Sequence, residues 1–196
     1  MIRKKIALFS LFLPLVLSAS DVSEYVGLGV GSSAYVDNGF AKRELASVSE
    51  DIALESIGAK IYGGVRFNKI IGIEATYIYY GHFKLNDNYS YKAHSISVAA
   101  NLGYTFLGTQ LRPFALVGLG YVISDFNDEG LGIDKKKPTL EVGFGLDYMP
   151  HYLSGFGVRI AFESNNFSYS VEGSDTEGVK YDQGIGIGYI GVSYHF

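Results

Sequence analysis

Apolar residues recur at every second position in eight stretches of this chain, the signature of strands with one apolar face. In the first, Val26, Leu28, Val30, Ala34 and Val36 share a face against Tyr25, Gly27, Gly29, Gly31 and Ser33. The second sets Ile57, Ala59, Ile61, Val65 and Phe67 against Ser56, Gly58, Lys60, Tyr62 and Arg66. The third sets Ile71, Ile73, Ala75, Tyr77 and Tyr79 against Gly72, Glu74, Thr76 and His82. In the fourth, Ile96, Val98, Ala100, Leu102, Tyr104 and Phe106 oppose Ser95, Ser97, Asn101 and Thr105. The fifth alternates from Pro113 to Ile123 against Arg112, Gly118, Gly120 and Ser124, although Phe114 and Leu116 join the second set. The sixth opposes Leu140, Val142, Phe144, Leu146 and Tyr148 to Glu141, Gly143, Gly145 and Asp147. The seventh opposes Phe156, Val158, Ile160 and Phe162 to Gly155, Gly157, Arg159, Ala161, Glu163 and Asn165. In the eighth, Ile190, Val192, Tyr194 and Phe196 face away from Gly191, Ser193 and His195; Ile185 and Ile187 are out of phase, which predicts a bulge near Gly186 or Gly188.

The connections alternate too. Segments 68–69, 107–110 and 150–154 are short, whereas 37–51, 83–89, 125–138 and 164–180 are mostly longer and polar. Short turns at one end and long loops at the other belong to a membrane barrel with its loops facing outward. A soluble sandwich would carry its charges on the outside. Here Lys60, Arg66, Glu74, Arg112, Glu141, Asp147, Arg159 and Glu163 all lie opposite the broad apolar face. The pattern predicts an all-β, eight-stranded, antiparallel up-and-down transmembrane barrel, closed because lipid tolerates no unpaired backbone. At eight strands, side chains can fill the interior. Outward Phe67, Tyr104, Phe106, Tyr148, Phe156, Tyr194 and Phe196 fall at the turn ends, where an interfacial aromatic girdle is expected; Tyr79 and Tyr121 suit the opposite rim.

The first 20 residues add a destination. Arg3, Lys4 and Lys5 precede an apolar run from Ile6 to Leu17, and Ser18, Ala19 and Ser20 offer small residues for cleavage. This reads as an export signal over 1–20, with the barrel domain at 21–196. The run is shorter than the ~20 residues that span a bilayer. Removing its three cations takes the net charge from −4 to −7. That acidity argues against a nucleic-acid partner. With no cysteine there is neither a disulfide framework nor a thiolate metal site.

At this point the chain resembles the OmpA-like small outer-membrane β-barrel family. The local carriers are Gly72-Ile73-Glu74-Ala75-Thr76-Tyr77, Arg112-Pro113-Phe114 with Gly118-Leu119-Gly120-Tyr121, and Val192-Ser193-Tyr194-His195-Phe196, together with the strand–turn layout. The resemblance implies insertion by the outer-membrane assembly machinery, with Tyr194 and Phe196 as the terminal signal. The peptidoglycan-binding domain of longer family members is not expected here.

The inward charges are the first candidates for mechanism. Ion pairs are expected across the lumen, because a lone charge in a confined interior costs several kcal/mol, roughly. Arg159 with Glu74 or Glu141 is the leading pair. Arg66, Arg112 and Asp147 belong near the turn end, Glu74 and Arg159 higher, and Lys60, Glu141 and Glu163 higher still. Gly186-Ile187-Gly188-Tyr189-Ile190-Gly191 matches a dinucleotide fingerprint in letters only, since no helix can follow it. His82, His94, His151 and His195 lack ligand spacing, so no metal is expected. His94-Ser95 invites comparison with lipid A deacylases, but alternation puts the two on opposite faces, and no acidic residue is placed to orient the imidazole. Lys135, Lys136 and Lys137 in the third long loop suit lipopolysaccharide phosphates, whereas Glu172, Asp175 and Glu177 make the fourth acidic. The expectation is a membrane-integrity and surface-interaction protein with a closed or narrow lumen, neither catalytic nor cofactor-dependent. It would contact outer-membrane lipid and lipopolysaccharide, and its loops could hold an extracellular ligand. The alternatives are a small-solute channel and, more remotely, a lipid-modifying enzyme.

Overall fold

The computed structural model describes residues 22–36, 53–84, 90–106, 108–126, 136–173 and 176–196. The proposed signal segment, most of the long connections and Lys135 lie outside the described residues. Eight strands run in chain order: β1 Ser23–Val36, β2 Ala53–Arg66, β3 Ile71–Lys84, β4 Ser90–Gly103, β5 Leu111–Phe126, β6 Lys136–Tyr148, β7 Phe156–Gly173 and β8 Thr176–His195. Each pairs antiparallel with its neighbour, and β8 closes on β1.

The stagger of that closure follows from the register. Paired residues lead from Val26 through Gly63, Ala75, Val98, Leu119, Leu140, Asn166 and Gly184 back to β1 at Val36, ten residues beyond the start. Eight strands with that stagger tilt by about 40° and enclose a backbone cylinder of roughly 8 Å radius. So narrow a cylinder is filled by side chains. The outer face is apolar and exposed, as at Val30 (65 %), Leu119 (72 %) and Phe144 (64 %), while all eight inward charges are buried. Inner glycines make room for inner rings. A Cβ at Gly27 would lie 2.3 Å from Tyr62, and one at Gly29 would lie 2.5 Å from Tyr189.

Three expectations fail, each for a local reason. Alternation puts His82 on the inner face, yet it is exposed, because Tyr80 and Gly81 together oppose Ala93 in a bulge between Tyr79 and His82. The bulge reverses the alternation beyond it and turns Phe83 inward, while Tyr80 keeps the inward phase of Thr76 and Ile78. Ser56 Oγ stitches it, accepting from the His82 amide at 2.9 Å and donating to its carbonyl at 3.1 Å. Gly81 sits at φ +86°, where a Cβ would also meet the Ile57 carbonyl at 2.3 Å. Gly81→Ala should therefore destabilise the barrel by about 1–3 kcal/mol, measurable as a lower urea midpoint in lipid vesicles by far-ultraviolet circular dichroism.

The bulge expected at Gly186 or Gly188 is absent. The β8–β1 ladder is unbroken from Tyr25↔His195 to Val36↔Gly184. Ile185 and Ile187 simply face inward, where with Ile78, Tyr80, Phe83 and Val122 they form a buried apolar layer in the loop-side half of the lumen. The third failure is the 164–180 loop, most of which is strand. Above Leu140↔Asn166 on one side and Val36↔Gly184 on the other, β7 and β8 pair only with each other among the described residues. From Phe167↔Gln183 to Gly173↔Thr176 they form a two-stranded hairpin standing above the closed barrel.

Candidate functional site

Odd strands ascend from the short turns and even strands descend toward them. Successive inward positions on β2, β3, β5, β6 and β7 therefore stack as layers along the axis. At the turn end, Arg66 Nη2 donates to Asp147 Oδ2 at 2.8 Å, and Arg112 Nη1 lies 3.6 Å from the same oxygen. Arg112 Nη1 also donates to Asn101 Oδ1 at 2.8 Å. One layer higher, Arg159 donates through Nε to Asp147 Oδ1 at 2.7 Å and through Nη1 to both Glu74 oxygens at 2.9 Å. Glu74 also accepts from Tyr25 Oη at 2.7 Å, Asn101 Nδ2 at 3.1 Å and Lys60 Nζ at 3.2 Å. Lys60 reaches upward to Glu163 at 2.5 and 2.6 Å, and Tyr189 Oη donates to Glu163 at 2.7 Å. The result is a continuous ladder of alternating sign, Arg66 and Arg112 to Asp147, Arg159, Glu74, Lys60 and Glu163, built by five strands.

Aromatic faces surround the cations. Arg159 Cζ sits 4.3 Å from the Tyr62 centroid and 4.4 Å from that of Phe114, and Arg66 Cζ sits 4.9 Å from that of Tyr25. Lys60 Nζ lies 5.0 Å from both Tyr62 and Tyr189. Such faces attract desolvated cations, so water is displaced without stranding the charge. Above the ladder come neutral polar groups: Asn165 Nδ2 donates to Tyr80 Oη at 2.7 Å, and Tyr80 Oη contacts Ser95 Oγ at 3.1 Å. The apolar layer follows.

The structure thus places all eight charges in the lumen and joins seven of them. Glu141 is the exception: it is fully buried, yet neither carboxylate oxygen has a hydrogen-bond partner among the described residues, and Arg159 binds Glu74 instead. Alternation missed the neutral members Tyr25, Asn101 and Tyr189 as ligands of the ladder. Their inward phase was visible, but nothing in the pattern marks a donor.

Elsewhere, His94 and Ser95 point to opposite faces; His94 packs against Tyr77 at 6.1 Å, and Ser95 is buried beside Tyr80. The glycine motif at 186–191 lies wholly within β8. Among the described residues no group of three His, Asp or Glu is arranged to hold a metal, and no helix is long and apolar enough to cross a membrane. Lys136 is exposed at the loop-side rim with Nζ 4.4 Å from the Tyr121 centroid.

Comparison with known proteins places this geometry. A family model described as the outer membrane protein beta-barrel domain matches residues 6–196. Among solved structures, neisserial surface protein A is 14 % identical with a TM-score of 0.66, covering 90 % of this chain and 100 % of that one. Ail of Yersinia pestis, solved in complex with the heparin analogue sucrose octasulfate, is 17 % identical with a TM-score of 0.56, covering 90 % and 99 %. OprG of Pseudomonas aeruginosa is 14 % identical with a TM-score of 0.52, covering 91 % and 96 %. At these identities the likeness is one of fold. No curated protein matches the sequence.

Proposed function

The chain belongs to the outer membrane protein β-barrel domain family, and from that premise we propose a structural and surface-interaction protein of the outer membrane whose lumen is closed to solutes. The observation that carries this reading is the ladder itself. Ions entering the lumen would have to part buried salt bridges whose members are at most 9 % exposed, and then cross the layer of Ile78, Ile185 and Ile187. A pore would need a continuous wet path. An enzyme would need a nucleophile beside its base, whereas His94 and Ser95 are separated by the barrel wall.

Interaction then falls to the loop side. Above the barrel, the β7–β8 hairpin pairs with no third strand among the described residues, a form suited to adding a partner strand. Lys136 and Lys92, exposed at the same rim, are placed to meet lipopolysaccharide phosphates. Tyr194 packs on Phe156 and Phe196 at 5.0 and 5.1 Å, and this aromatic cluster is the feature the assembly machinery would take up. Export through a cleaved segment at 1–20 is part of the same proposal.

Single-channel recording in planar bilayers tests the closed lumen. The refolded protein should be silent, and Arg159→Ala should remain silent or give brief, unstable openings. Long-lived openings of the unaltered protein, larger in Arg159→Ala, would instead establish a gated channel with the ladder as its constriction.

A further inference from the structure

Among the described residues, the four buried cations and four buried carboxylates of the lumen cancel in number but not in place. The loop-side half holds Glu141 and Glu163 against Lys60 alone. The turn-side half holds Arg66, Arg112 and Arg159 against Asp147 and Glu74, so positive charge is in excess there. The excess coincides with unused donors. Arg112 is 1 % exposed, and its Nη1 is engaged by Asn101 and Asp147, but Nε and Nη2 have no partner among the described residues. Those two atoms form the edge of a guanidinium that binds an oxyanion through two parallel hydrogen bonds. Arg66 Nε is likewise unpartnered. Because Arg66 and Arg112 both approach Asp147 Oδ2, their guanidinium groups are neighbours and not two isolated defects. Buried charged donors are not left unpaired without large cost.

We propose that the turn-side, periplasmic mouth of the barrel is a binding site for a small oxyanion, a phosphate or carboxylate group, held by the free edge of Arg112 and by Arg66. Arg66 has the most exposed side chain of the ladder, at 9 %, which makes this end the route of entry. Beside it, Met149, whose sulfur lies 3.2 Å from Arg66 Nη1, lines a pocket of about 150 Å³ with Pro150, Gly155, Phe156 and His195. A ligand seated here would complete the charge balance of the lower half. Gly103 makes room for the guanidinium itself, since a Cβ there would lie 2.6 Å from Arg112 Cζ.

The proposal borrows its orientation from the reading above and does not depend on a closed lumen. The test uses the refolded protein in a phosphate-free detergent, titrated with inorganic phosphate or with acetate at constant ionic strength set by sodium chloride. Thermal unfolding and titration calorimetry are read together. Saturable stabilisation by phosphate or acetate, absent with chloride alone, is expected. Arg112→Lys, which keeps the charge and loses the paired edge, should weaken binding on the order of tenfold. Arg66→Lys provides the second variant should Arg112→Lys fail to fold, and should weaken binding by a smaller factor. Response to phosphate alone identifies a phosphate site, and response to both identifies a general oxyanion site. No saturable effect of either anion overturns the proposal, as does unchanged affinity in the folded lysine variants. Conductance with anion binding intact would overturn the closed lumen and leave this site standing.

Discussion

Glu74→Ala is expected to lower the stability of the folded barrel by about 3–5 kcal/mol, the cost of breaking a buried ion pair from one side. Glu74 is the hub of the ladder, accepting from Arg159, Lys60, Tyr25 and Asn101. Its removal leaves two buried cations short of a counter-charge. Glu141 supplies the contrast. It is just as buried, but neither of its oxygens accepts a hydrogen bond among the described residues, so Glu141→Gln removes a charge that no hydrogen bond holds and should stabilise the barrel by about 1 kcal/mol. Urea unfolding in lipid vesicles measures both. Equal losses in the two variants would mean that burial alone, and not pairing, sets the energetics of the lumen. A double-mutant cycle with Arg159→Ala isolates the pair. Additive losses for Glu74 and Arg159 would show that the 2.9 Å contacts carry no coupling.

The second large effect lies on the opposite face. Val117→Arg should cost about 2–4 kcal/mol, the depth-dependent cost of a cation at the middle of the lipid-facing band. Val117 is 51 % exposed and stands midway along β5 between Leu111, at the turn end, and Tyr121, at the loop-side rim. Ser168→Arg, on the hairpin above that band, exchanges the exposed 2.6 Å hydrogen bond from Ser168 Oγ to Asp182 for an exposed ion pair with the same carboxylate, and should change stability by less than about 1 kcal/mol. In a water-soluble barrel both exposed positions would tolerate arginine equally. The difference between the two variants, measured in bilayers, is therefore a direct reading of where the hydrocarbon begins and ends.

The period of two settled a good deal before any fold was in view. It identified eight strands, separated Val26, Leu28 and Val30 from Tyr25, Gly27 and Gly29, and placed all eight charges on one side of the sheet. These are local properties, because adjacent Cβ atoms point to opposite faces whatever the strand pairs with. The failures are local as well. A glycine in the left-handed region at position 81 shifts the phase of everything after it, and alternation around Gly81 does not distinguish that bulge from a regular strand. At Ile185 and Ile187 the opposite error arose. The residues obey the phase, but apolar side chains on the inner face suggested a slip, because nothing local reveals that the upper lumen holds a layer of buried apolar side chains. Likewise, polar residues from Ser164 onward read as a loop, although pairing of β7 with β8 carries them as strand.

What the sequence by itself determined, then, was the class of structure and the face each residue occupies. Only the tertiary structure decided who meets whom. The ten-residue stagger of the closed sheet brings Glu74 on β3 against Arg159 on β7 and Lys60 on β2 against Glu163 on β7. It also leaves the carboxylate of Glu141 and the free edge of Arg112 without a hydrogen-bond partner among the described residues. That stagger is the sum of eight ladder registers around a circuit, each fixed by pairing between distant segments, so no single strand carries it. Side-chain facing is a property of one strand, whereas contact across a lumen is a property of the closed barrel.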